Sequence, residues 1–150
     1  MPNDDHVLFV SLKPRFAEMI LSGEKTVELR RVGPTVPVGA PVILYASSPS
    51  MEVVGFGRIG ALDSASPSAL WERHRNDCGL TRREFRAYLA GVRRAVAITL
   101  DDVRRLPRTI PLAELGQVLW AGFRPPQSWR YLEAEKAAAL FQEPQLATQS

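Results

Sequence analysis

Residues Gly23 to Arg31 read Gly-Glu-Lys-Thr-Val-Glu-Leu-Arg-Arg, which places an ammonium, a hydroxyl, a carboxylate and a guanidinium close together in one short stretch. In a strand, alternation sends Val27 and Leu29 to one face and Thr26, Glu28 and Arg30 to the other, with Lys25 at the strand mouth. A lysine and an arginine suit phosphate, and a carboxylate between them accepts from base amino groups. Lys25 and Glu28 should also pair, which keeps the lysine an ammonium and denies it the role of general base. The same row can equally be the solvated face of a half-exposed strand. If it is a functional cleft, Lys25, Glu28 and Arg30 should contribute little to stability.

Other elements must hold this row in place. Upstream, Phe16, Met19 and Ile20 have helical spacing; Pro14 suits a first helical turn and Gly23 the left-handed residue after the last. A short helix therefore turns sharply into the charged strand, and Lys13 and Lys25 come within reach of one cleft. Val7 to Val10 reads as a buried first strand. Residues 33–41 hold three prolines and two glycines and must be a loop.

The segment Ser11-Leu12-Lys13-Pro14, followed by Ile20-Leu21-Ser22-Gly23-Glu24-Lys25-Thr26-Val27-Glu28-Leu29-Arg30, resembles the signature of the ASCH domain, a member of the PUA-like superfamily. Gly23, Lys25, Glu28 and Arg30 match its Gly-x-Lys-x-x-Glu-x-Arg motif. The similarity extends through residues 42–47, the glycine-interrupted strand 53–57 and the segment 125–129, so it covers roughly residues 7 to 132. The resemblance implies an α+β fold: a small PUA-like β-barrel with helices inserted between strands and a C-terminal helix. It implies a cleft bordered by the proline-rich loop and closed by the segment 125–132, which begins rigid and ends aromatic. Ser47, Gln127 and Ser128 join Lys13, Lys25, Glu28 and Arg30 as candidate ligand contacts, and Trp129 is either a stacking platform or core.

The function it implies is a module that binds nucleic acid, RNA foremost, or a nucleoside-like ligand. A small hydrolase is the alternative, because some ASCH-like proteins are amidohydrolases on acetylated cytidine nucleosides and ribonuclease activity has been ascribed to others. In the amidohydrolases a lysine activates a threonine three residues later; here that position is Glu28, and Thr26 is the nearby hydroxyl. If the protein is an enzyme, Lys25, Thr26 and Glu28 are the catalytic candidates. A protein-binding transcriptional regulator is a further alternative.

With 150 residues and 45% hydrophobic content the chain suits one core, expected over residues 1–141 with a frayed tail at 142–150. No apolar run approaches a membrane span and no basic leader precedes the first strand, so a cytoplasmic protein with no membrane partner is expected. Cys78 is the lone cysteine. With His6 and His74 it makes no ligand set, so neither a metal nor a cofactor is expected. The oligomeric state is left open.

The net charge of +3 is unevenly spread: residues 1–70 sum to −1, residues 71–130 to +6 and residues 131–150 to −2. Of the 19 basic residues, 16 are arginine, the side chain that grips phosphate bidentately, although a GC-rich genome would also enrich it. Ser66-Pro67 and Thr81, with Glu84 three residues on, open two helices. Their polar faces carry Arg73, Arg75, Arg82, Arg83 and Arg86, a candidate basic surface that could also be only a solvated face. Val42–Ala46, Val53–Ile59 and Ala95–Leu100 read as strands, residues 110–115 as a helical turn and 133–141 as a short helix. Gly55 and Gly57 point to bulges and tight curvature.

Overall fold

A computed structural model describes residues 6–149, with side-chain surroundings for residues 6–141. The chain runs β1 (His6–Leu12), α1 (Pro14–Ser22), β2 (Val27–Arg30), β3 (Pro41–Ala46), β4 (Glu52–Ala65), α2 (Pro67–His74), α3 (Arg82–Tyr88), β5 (Ala95–Pro111), α4 (Leu112–Val118), β6 (Trp129–Glu133) and α5 (Ala134–Gln149). The six strands form one sheet in the order β2-β5-β4-β3-β1-β6. β1 and β3 are parallel, and the other neighbours are antiparallel.

The expected barrel is not closed. β2 and β6 end the strand order and share no backbone ladder. The seam between them is crossed by side chains: Trp129 Nε1 donates to Val32 O at 2.9 Å, and the Tyr131 hydroxyl accepts from Thr35 N at 2.8 Å while donating to Thr35 O at 3.2 Å. The irregularities read from the glycines are nevertheless present. β4 shifts register against β5 between Val53 and Gly55 and again between Phe56 and Arg58. At Gly55 a Cβ would lie 2.5 Å from Arg104 O, so a side chain there would drive the strands apart.

The apolar run of β1 is continuous because both of its faces are covered. Leu8, Val10 and Leu12 enter one cluster with Val42, Leu44 and Ala46, while Val7 and Phe9 enter another with Ile43, Tyr45, Leu115, Ala137 and Leu140. A third cluster joins Val27 and Leu29 of β2 to Leu70, Phe85 and Leu89 of the two inserted helices. The helix starts follow their local chemistry. Ser66 accepts from Ala69 N at 3.3 Å, and Thr81 and Glu84 make a complete capping box. Ala95 to Pro111 is one long strand, and Trp129 to Glu133 pairs with β1 where only a rigid, aromatic segment was expected. α5 continues to Gln149, past Phe141 where the domain was expected to give way to a frayed tail.

Candidate functional site

The charged row is built at the end of α1. Gly23 closes that helix in the left-handed region, at φ 88°, and Lys25 N returns to Met19 O at 3.0 Å, which turns the lysine side chain inward. Its Nζ makes a short hydrogen bond to Cys78 O, lies 3.1 Å from Glu28 Oε1 and sits 5.1 Å from the centre of the Phe16 ring. Gly79, at φ 69°, allows this approach, because a Cβ there would meet Met19 Cε at 2.8 Å and the Lys25 stem at 3.3 Å.

Glu28 shares its second oxygen with Arg30, Oε2 to Nη2 at 2.6 Å. Arg30 Nη2 also donates to Ser11 O at 2.9 Å, and Nη1 donates to Ser128 Oγ at 3.0 Å and Ser128 O at 3.3 Å. The row thus ties β1, β2, the α2–α3 connection and the segment before β6 into one network.

These groups are not solvated, which corrects the picture of a half-exposed strand. Lys25, Glu28 and Arg30 are 2%, 9% and 6% exposed, and every residue of β2 is buried. Two buried cations share one buried carboxylate, so the row carries one positive charge that its own members do not neutralise. Desolvated charge of this kind is costly unless a counter-charge sits nearby. Among the described residues, two buried polar atoms of the cluster also have no partner, Ser11 Oγ and Arg30 Nε. Tyr88 borders the row: burial pushes its phenol up, the Arg30 charge pulls it down and the Glu28 charge raises it again.

Of the candidate contacts, the structure brings together Lys25, Glu28, Arg30 and Ser128. Lys13 and Gln127 are exposed and stand outside the network. Ser47 is half-buried, and its amide donates to Leu12 O at 2.8 Å. Thr26 is exposed; its amide donates to Asp77 O and its carbonyl accepts from Leu100 N, both at 3.0 Å. Trp129 packs half-buried against the core, with its indole nitrogen on Val32 O. Sequence reasoning missed Ser11, Tyr88 and the Cys78 carbonyl. Ser11 closes an apolar strand and Tyr88 lies on a helix far along the chain, so nothing local tied either of them to the row.

The basic surface is divided. Arg73 is held 2.8 Å from Asp63, which also meets His74 Nε2 at 2.8 Å. The hydrogen bond from His74, aided by Arg73, holds the Asp63 carboxyl below the usual range. Arg75, Arg82, Arg83 and Arg86 are exposed and make no ion pair among the described residues.

An open six-stranded α+β sheet with helices inserted between its long strands, carrying a buried Lys-Glu-Arg row, defines the class of domain. The chain belongs to the ASCH domain family, and its residues 7–119 match the family described as a domain of unknown function, DUF365. An ASCH domain-containing ribonuclease of Zymomonas mobilis is 36% identical over 131 residues, 87% of each chain. The crystal structure of ASCH from Zymomonas mobilis superposes with a TM-score of 0.85 at 34% identity, covering 91% of this chain and 94% of that one. Human THYN1, solved in complex with DNA containing 5-methylcytosine, superposes with a TM-score of 0.54 over 92% of this chain and 98% of its own; at 15% identity the likeness is one of fold alone.

Proposed function

We propose that this protein binds RNA at the buried row of Lys25, Glu28 and Arg30 and cleaves it. The observation that carries the reading is the excess positive charge of the buried row. A phosphodiester seated beside it supplies the missing negative charge. The ribonuclease name of the 36% identical relative supports RNA over other anions.

RNA carries its own nucleophile. Attack of the 2′-oxygen on phosphorus breaks the bond to the 5′-oxygen, leaving a 2′,3′-cyclic phosphate and a 5′-hydroxyl. The 2′-hydroxyl proton passes to water, and water returns one to the leaving oxygen. Negative charge grows on the phosphoryl oxygens during that step, and preorganised cations in a desolvated site stabilise it more than they stabilise the ground state. The geometry disfavours the amidohydrolase alternative. Lys25 Nζ is engaged as a donor to Cys78 O and paired with Glu28, while Thr26 is exposed.

The test is an end-labelled single-stranded RNA beside DNA of the same sequence, resolved on a gel. RNA should be cut, DNA should be bound and left intact, and Lys25→Met should abolish cutting. RNA that is bound but never cut would reduce the protein to a binding module, and absence of binding would end the reading altogether. Acetylated cytidine followed by chromatography should show no deacetylation. Turnover that vanishes in both Lys25→Ala and Thr26→Ala would restore the amidohydrolase.

A further inference from the structure

The groove between α2 and α3 belongs to no part of the buried row. It encloses about 330 Å³, at the small end of the range for ligand sites. Its walls include Trp71, Phe85 and Leu89, with the first two rings 5.0 Å apart between centres and tilted by 59°. Arg82 and Arg86 also line it, and Glu72 is the one acidic group that does. The two arginines stand four residues apart on α3 and therefore share one helix face. Both are exposed, and neither makes an ion pair among the described residues.

An aromatic and aliphatic floor beneath two free guanidinium groups matches the chemistry of one nucleotide: a flat base with an apolar face, attached to a phosphate. We infer that this groove is a second subsite for single-stranded RNA. It takes one base against Trp71, the flanking phosphates on Arg82 and Arg86, and the base's amino group on Glu72. Charge complementarity selects this occupant. An apolar peptide would use the floor and leave both arginines without a counter-charge, whereas a polynucleotide uses both. Each phosphate contact adds counterion release, and stacking adds an interaction that requires an exposed base. The inference rests on RNA being the protein's ligand.

The test measures binding of a labelled single-stranded 2′-O-methyl oligocytidylate, which lacks the nucleophile for cutting, by fluorescence anisotropy across a salt series. Replacing Arg82→Glu and Arg86→Glu together should weaken binding at least tenfold and flatten the log-log salt slope by about 1.4, two lost contacts on a single strand. An oligomer of equal length with abasic sites keeps every phosphate and lacks the bases. It should bind the wild type about tenfold more weakly than the intact oligomer, a penalty that Trp71→Leu should largely abolish. Should Trp71→Leu fail to fold, the charge-reversal and abasic arms still decide.

Lys25→Met separates the two sites. Wild-type binding that Lys25→Met weakens and the double reversal leaves unchanged would overturn the groove alone. Abasic and intact oligomers that bind equally well would overturn its base-stacking role. A wild type that binds no RNA would overturn this inference together with the function on which it rests.

Discussion

At the scale of single residues, the buried row should respond differently to loss of its carboxylate and to loss of one of its cations. Glu28→Gln strips the carboxylate from between Lys25 and Arg30 and leaves two like charges facing each other out of water. Breaking a buried ionic network in this way costs about 3–5 kcal/mol. Lys25→Met instead removes the surplus charge, fills the same volume and leaves Glu28 with Arg30. The Cys78 carbonyl loses its donor, a cost of about 1–3 kcal/mol, and Glu28 Oε1 loses Lys25 while the carboxylate keeps Arg30. Chemical denaturation should therefore rank Glu28→Gln as less stable than Lys25→Met. Equal stabilities would mean that the row is not electrostatically coupled. Both changes should disturb stability more than changes on a solvated strand face would, which replaces the expectation of a cleft that contributes little to stability.

At the scale of elements, α3 has only seven residues and depends on its start. Helices this short are marginal without capping and packing. Thr81→Ala removes one half of the capping box and should lower stability by about 1 kcal/mol, read as a fall in melting temperature. Glu84 forms the other half. Its hydrogen bond from Arg15, reinforced by the Thr81 amide, lowers its carboxyl from 4.5 to about 2. The folded value lies below the unfolded one, so the stabilisation is fully present above about pH 4.5 and is lost as pH falls toward 2. Glu84→Gln should accordingly make the acid limb of a stability–pH curve shallower, with little change near neutrality. An unaltered acid limb would show that the Arg15 contact does not persist in solution.

At the scale of the whole molecule, the open seam matters most. A sheet with free edges is a template for unwanted pairing unless the edges are covered. Here β2 and β6 are bridged by side chains from Trp129, Tyr131 and Arg30. Tyr131→Phe deletes both bonds to Thr35 and should cost about 1 kcal/mol. Its sharper signature is local: the Thr35 amide loses its acceptor and should exchange with deuterium faster than in the wild type. Unchanged exchange there would mean that the seam is closed by something other than these bonds.

Much of this was legible in the chain because it depends on local rules. Pro14 and Gly23 bound α1, Thr81 and Glu84 start α3, and the Gly-x-Lys-x-x-Glu-x-Arg spacing makes the Lys25–Glu28 pair a matter of strand and turn geometry. Gly55 marks a close strand approach for the same reason, since lack of a Cβ can be read without knowing the neighbour. What the chain did not reveal depends on contacts across long separations. Ser11, Cys78 and Tyr88 reach the row from three other segments, and only their arrival changes a solvated strand face into a buried cluster with an unneutralised charge. Closure of the sheet was likewise beyond local pattern. Alternation specifies which face of a strand is buried, but whether two edge strands meet is decided by the summed twist and register of every strand between them.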